Sequence, residues 1–140
     1  MSPPTKTRVL FVCIGNSCRS QMAEGFARTY GADVLAPSSA GLAPAPGIAQ
    51  DTIRTMDEKN IDLRQQFPKS FYAAELSEFD LIVNMSGFGL PPGIAAPARD
   101  WDVPDPIGED YETHCKVRDQ IERSVMSLIL ELRRAAQRRP

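Results

Sequence analysis

Histidine is nearly absent from this chain: of 140 residues one is His, at position 114, alongside three cysteines (Cys13, Cys18 and Cys115) and a lone tryptophan, Trp101. These groups show no metal-ligand spacing, so no metal site is expected. Three cysteines, two of them in one short stretch, do not make the disulfide framework of a secreted domain. The longest apolar run falls far short of a membrane span. Met1 to Thr7 also lacks the apolar core and small-residue cleavage site of a secretory signal. The expectation is a cytoplasmic protein with no membrane association. A net charge of −2 lacks the basic excess of a nucleic-acid binder, so no nucleic-acid partner is expected. Internal repeats, low-complexity tracts and interdomain linkers are missing too. With 42% hydrophobic and 24% charged residues, the chain has the composition of one folded domain. That domain is expected over 8–140, after a polar, disordered leader at 1–7.

The pattern along the chain alternates strands with helices. Arg8 to Val12 is a short apolar strand, and a helix follows from Arg19 to Tyr30-Gly31, with glycine as its stop. Asp33 to Ala36 reads as a short strand, and Pro37 to Gly47, rich in Ala, Pro, Ser and Gly, as a loop. Ile48 to Asn60 reads as a helix with Ile53 and Met56 inward, Tyr72 to Leu76 as a short helix, and Phe79 to Asn84 as a clear strand. Ser86 to Ala98 is loop-like, and Arg99 to Val103 is a last short strand. Val117, Ile121, Val125, Leu128, Ile129 and Leu132 recur at helical spacing within a long helix from Asp110 to Arg138. The order implies βαβ units, a parallel sheet and functional loops beyond the carboxyl ends of the strands.

One such end carries the chemistry. The strand residues Val9 to Val12 run into Cys13, and Ile14-Gly15-Asn16-Ser17-Cys18 lead into a helix that opens at Arg19-Ser20. A loop of this kind turns its N–H groups inward, and the helix N-terminus adds partial positive charge. Gly15 and Asn16 tolerate the sharp backbone turns that this needs. The Arg19 guanidinium can clamp two oxygens of a phosphate-like group. N–H groups, a helix terminus and an arginine stabilise a sulfur anion, and Ser20 is placed to donate a hydrogen bond to it, so Cys13 reads as a nucleophile. Cleaving a phosphoester also needs an acid for the leaving oxygen and then a base for water. Asp105, held stiff by Pro104 and Pro106, is the candidate, with Asp102 as the second choice.

Cys13 to Ser20 resembles the signature of the low-molecular-weight protein tyrosine phosphatases and of the arsenate reductases that share their fold. Ser39-Ala40-Gly41 and Asp105-Pro106 resemble that family's other landmarks, in the same order. The resemblance implies an α/β fold of the phosphotyrosine phosphatase I type, a single three-layer domain with a four-stranded parallel sheet flanked by helices. It also implies Cys13 as nucleophile, Arg19 with the loop Ile14, Gly15, Asn16, Ser17, Cys18 and Ser20 as phosphate cradle, and Asp105 as general acid and then base. Neither metal nor cofactor is needed. The first reading is a phosphatase working through a cysteinyl-phosphate on a phosphoprotein or small aryl phosphate.

The alternative is an arsenate reductase, in which Cys13 attacks arsenate and a thioredoxin, glutaredoxin or small thiol completes the reduction. Gln21-Met22 after the Arg-Ser pair, Asn60-Ile61-Asp62-Leu63 and Trp101 resemble that branch. Thioredoxin-linked members carry a relay pair of cysteines after the third strand, whereas 84–99 has none, and Met85-Ser86 stands where the first is expected. Phosphatases of the family place aromatics directly after Asp-Pro, whereas Ile107-Gly108 follow here and Tyr111 comes later. An idle oxyanion-binding module is a third reading. Cys18 is a candidate redox partner of Cys13, forming a protective disulfide. Cys115 reads as structural and His114 as a surface helix residue. Phe67, Phe71, Tyr72 and Phe88 are candidates for a substrate rim but read more as core, with no assigned role, and the Arg133 to Arg139 cluster reads as a solvated helix end.

Overall fold

The structure is a computed structural model describing residues 6–94 and 96–138. Its elements are β1 (Thr7–Cys13), α1 (Arg19–Tyr30), β2 (Leu35–Gly41), α2 (Gln50–Asp57), β3 (Leu81–Asn84), β4 (Ala98–Asp100) and α3 (Tyr111–Gln137). The strands form one sheet in the order β2-β1-β3-β4, and every neighbouring pair is parallel. All four carboxyl ends therefore lie along one edge, with Cys13 at the end of a central strand.

Because β1 is central, both its faces are buried and its sequence is a continuous apolar run. Val9 and Phe11 pack on one side against Met22 and Phe26 of α1 and Ile121, Val125 and Ile129 of α3. Leu10 and Val12 pack on the other with Ala40, Phe71 and Ile82. That second face is roofed by two single 3-10 turns, Phe71–Ala73 and Leu76–Glu78, and by apolar residues such as Leu90 and Ile94. The helix expected over Tyr72 to Leu76 is thus replaced by these turns. Asp110 caps α3, its carboxylate accepting from the Thr113 N–H at 2.9 Å.

The second strand differs from the sequence expectation. It runs from Leu35 through Ser39-Ala40-Gly41, which the composition assigns to a loop. Pairing along the whole of β1 overrides the poor strand propensity of Ala, Pro, Ser and Gly. Pro37 is tolerated because β2 is an edge strand. β1 begins at Thr7, whose N–H donates to the Val34 carbonyl at 2.9 Å, so the expected leader is shorter by one residue. Met1 to Thr5, the rest of that leader, lie outside the described residues, as does Arg139. α2 ends at Asp57, short of the expected Asn60, where a φ of 60° turns the chain out of the helix. β3 and β4 are also shorter than expected, and β4 ends at Asp100.

Gly41 is where the end of β2 presses on the loop after Cys13. A Cβ there would lie 2.6 Å from the Ile14 carbonyl oxygen and 2.8 Å from the Asn16 nitrogen. Both are backbone atoms, so the loop itself would have to move. Gly41→Ala is expected to weaken binding of inorganic phosphate at least tenfold and to destabilise the fold by about 1–3 kcal/mol. Calorimetric titration and urea unfolding check this, and an unchanged phosphate affinity would show that the loop does not depend on the contact.

Candidate active site

The loop between β1 and α1 is shaped by a strap at 42–49. Leu42, Ala43, Ala45 and Ala49 donate their N–H groups to the carbonyls of Cys13, Ile14, Gly15 and Ser17 at 2.8–3.1 Å. The carbonyls are thereby turned toward the strap. The backbone N–H groups of Ile14 to Arg19 meet no acceptor among the described residues, and Cys18 at the N-cap of α1 makes no side-chain cap. Free donors at a helix N-terminus are the arrangement that an oxyanion cradle requires.

Asn16 locks this shape. Its φ is 49°, a left-handed conformation that asparagine adopts more readily than most residues. Its side chain accepts from the Lys69 N–H at 2.8 Å and donates through Nδ2 to the Ser20 hydroxyl at 2.7 Å. Since Ser20 Oγ accepts from Asn16, its own proton is free to point at Cys13 Sγ, 2.8 Å away. The contact places the Ser20 hydroxyl directly against the sulfur. Gln21 reinforces the loop, its Nε2 donating to the carbonyls of Asn16 at 3.0 Å and Phe67 at 3.1 Å.

The Arg19 side chain is only 5% exposed, yet its charge is well compensated. Nη1 donates to the carbonyls of Met85 at 2.5 Å and Val103 at 3.0 Å, while Nη2 pairs with Asp105 Oδ2 at 3.6 Å. Asp105 is 43% exposed, and its other oxygen accepts from the Ile107 N–H at 3.1 Å. It therefore faces both the arginine and solvent, as a proton-transferring group must. Asp102 makes no ion pair among the described residues, so of the two candidates Asp105 is the one beside Arg19.

Several residues missed by sequence reasoning buttress the cradle. Ser39 donates to the buried Glu24 at 2.5 Å, Arg28 pairs with the same carboxylate, and Lys69 Nζ lies 3.9 Å from it. Gln66 ties Gln21 to Arg28. No motif marks Lys69 or Gln66, and their roles arise only from folding. His114 is a correction: it is 2% exposed, not at the surface, with Nδ1 at 3.0 Å from the Asp110 carbonyl. The first turn of α3 folds the ring inward against its own cap. The aromatics are corrected as well. Phe71 is core, but Phe67, Tyr72 and Phe88 are 63%, 69% and 64% exposed. Cys115 sits at the α2–α3 contact beside Thr55 and Glu58, outside the cradle.

Cys18 is buried against this site, and burial pushes its thiol up from 9.0 to about 12, with the Thr52 hydroxyl opposing the shift in part. The folded state prefers the neutral thiol. Its contribution to stability is full below the unfolded value near 9 and is lost as pH rises through about 12. Cys18→Ala is therefore expected to remove up to about 1.4 kcal/mol per pH unit from the alkaline loss of stability in that window. Urea unfolding at pH 8 and pH 10.5 measures this, and equal losses in both proteins would show that Cys18 is not kept neutral by the fold.

The sequence pattern of the low molecular weight phosphotyrosine protein phosphatases matches residues 8–88. A glutaredoxin arsenate reductase from Synechocystis sp. is 36% identical over 129 residues, covering 89% of this chain and 98% of that protein. A solved arsenate reductase in its phosphate binding state superposes with a TM-score of 0.84 at 35% identity, covering 90% of this chain and 98% of that one. An arginine phosphatase from Geobacillus stearothermophilus, 22% identical, shares the fold with a TM-score of 0.83, covering 96% of this chain and 98% of its own. The α/β architecture with a four-stranded parallel sheet, expected from the sequence, is thus that of these proteins. With its cradle and its pattern both in place, the chain belongs to the low molecular weight phosphotyrosine protein phosphatase family.

Proposed function

We propose that this chain is an arsenate reductase that forms its arsenic adduct on Cys13 and takes its electrons from a thiol outside the chain. The observation that carries this reading is the 36% identity across 98% of the length of a glutaredoxin arsenate reductase. The surroundings of the cradle support it. Ile107 and Gly108 follow the Asp105-Pro106 pair. Tyr111, the next aromatic, bonds to Glu58 and lies under Arg54 at 3.8 Å. It is held in the α2–α3 contact and unavailable as a wall for an aryl phosphate.

Arsenate enters as a tetrahedral oxyanion, held by the N–H groups of Ile14 to Arg19 and by the guanidinium. Cys13 Sγ, oriented by Ser20, attacks arsenic. Asp105 gives a proton to the departing oxygen, so water leaves and an S–As(V) bond remains. An outside thiol then attacks Cys13 sulfur. The S–As bonding pair passes to arsenic, which leaves as arsenite, and Cys13 is left in a mixed disulfide. A second thiol releases Cys13 as the outside disulfide forms. The two electrons gained by arsenic are those lost by the two outside thiols.

The outside thiol is required because the chain offers no good substitute. Cys18, at a pKa of about 12, has on the order of one molecule in 10⁵ ionised at pH 7. Cys115 is engaged between Thr55 and Glu58, and 84–99 has no cysteine. The second function is phosphoester hydrolysis, favoured by the Arg19–Asp105 pair, which is the acid and base that a cysteinyl-phosphate route uses. Under either chemistry Cys18 serves as a slow protective partner, closing a disulfide with an oxidised Cys13.

Arsenite release and p-nitrophenyl phosphate hydrolysis, followed on one preparation with thioredoxin, glutaredoxin and small thiols in turn, test the proposal. Arsenite release is expected with glutaredoxin or a small thiol, retained in Cys18→Ala and Cys115→Ser and abolished in Cys13→Ser. Brisk ester hydrolysis without arsenite under any thiol would overturn it in favour of the phosphatase.

A further inference from the structure

Next to the cradle, at the carboxyl ends of β3 and β4, lies a cavity of about 340 Å³ that the chemistry described above does not use. Its lining includes Met85, Phe88, Asp100, Trp101, Asp102 and Val103. We infer that this cavity seats the outside thiol, and that the thiol is a small molecule bearing an ammonium group, with its sulfur directed at Cys13. The inference rests on the reductase reading and specifies the partner of that same site.

Position is the first argument. β1 and β3 pair in register Val12↔Asn84, and the Met85 N–H donates to the Val12 carbonyl at 2.7 Å. Met85 is thus the neighbour of Cys13 across one strand spacing, about 4.8 Å. Met85 and Val103 are also the two residues whose carbonyls hold the Arg19 guanidinium. The cavity and the cradle therefore share a wall.

Size and chemistry are the second and third arguments. The volume falls at the low end of the range for small-molecule sites and is far too small for a protein domain. The lining residues include the apolar Met85, Phe88 and Trp101 and the exposed acidic residues Asp100 and Asp102, with no Lys, Arg or His among them. Among the described residues neither carboxylate takes part in an ion pair. Two uncompensated carboxylates in a recess attract a cation and repel an anion. No cysteine lies in 84–99, so the sulfur has to arrive with the ligand.

The location of Trp101, the lone tryptophan, gives a direct readout. Fluorescence of the full-length protein is titrated with S-methylcysteamine, a cation, and with (methylthio)acetate, the thioether carboxylate, an anion; neither can react. Arsenite release is then measured with cysteamine, 2-mercaptoethanol and mercaptopropionate, each corrected for its thiolate fraction. The cation is expected to bind saturably, and cysteamine to outperform the anionic thiol about tenfold at low ionic strength, an advantage that shrinks in 0.5 M salt. Gly89 is a lining residue with nothing within 4 Å of an added Cβ, so Gly89→Phe places a bulky side chain at the cavity without a backbone clash. This variant is expected to raise the thiol KM at least tenfold and to abolish the fluorescence response, with phosphate affinity reporting that the cradle is intact.

A flat fluorescence titration in the parent, or a thiol KM equal in parent and variant, would overturn the subsite even if arsenate is reduced. Absence of arsenite with every thiol would remove the reductase reading, and the fluorescence titration would still decide whether the cavity takes an ammonium ligand.

Discussion

Everything at this site depends on which way one loop turns its peptide groups. Four N–H donors from the strap at 42–49 take the carbonyls of Cys13, Ile14, Gly15 and Ser17, and the opposite ends of the intervening peptides are left facing the space in front of the sulfur. A chain that formed these bonds with water would have no reason to turn the N–H groups of Ile14, Gly15, Asn16 and Cys18 away from the strap. The strap makes the arrangement part of the fold, so it does not have to be assembled when an anion arrives. Gly41 is the condition for it, since β2 must approach the loop more closely than any side chain allows.

Polar groups so deeply buried are stable only when each has a partner. Asn16 uses both its amide donor and its carbonyl, one on Ser20 and one on Lys69. Gln21 reaches from the first turn of α1 to two carbonyls, and Arg19 spends its charge on two more and on Asp105. Removing one member would leave a buried group unsatisfied, at a cost of about 1–3 kcal/mol. The same bonds that stabilise the loop hold the Ser20 hydroxyl against Cys13. Stability and orientation thus come from one network, which ties the loop to the 66–69 segment and to the ends of β3 and β4.

The parts legible in the sequence are those governed by local pattern. Val9 to Val12 is apolar throughout because β1 is central, and the α3 stripe shows because the helix buries one face along its length. Cys13, Asn16, Arg19 and Ser20 lie together in the chain as they do in space, so their arrangement could be read directly. Asp105 could be placed only through its proline neighbours and the family resemblance, and the structure brings it to Arg19. Ser39-Ala40-Gly41 was hidden because its strand character comes from pairing with β1 and not from its own residues. His114 was hidden because a polar residue type masked its place on the buried stripe, three residues before Val117 and seven before Ile121. Lys69 and Gln66 carry no local signal, for what they do is set by segments far away in the chain.

Hydrolysis and reduction share their first half, and this explains why the cradle alone does not separate them. A thiolate, a ring of N–H groups, an arginine and an acid serve phosphorus and arsenic alike. The two routes part at the second attack. Water activated by Asp105 must strike phosphorus on the far side from sulfur, whereas a thiol must strike the sulfur itself. The difference therefore lies in what stands beside Cys13. An aryl wall would favour a phosphotyrosine, but Tyr111 is fastened elsewhere. A cysteine within reach would make the reduction internal, but Cys18 is held neutral by burial. What borders the cradle instead is a recess walled by the residues that hold Arg19, with two free carboxylates in it. On the reductase reading, that neighbour is the natural place for the second reactant, because it shares Met85 and Val103 with the support of Arg19.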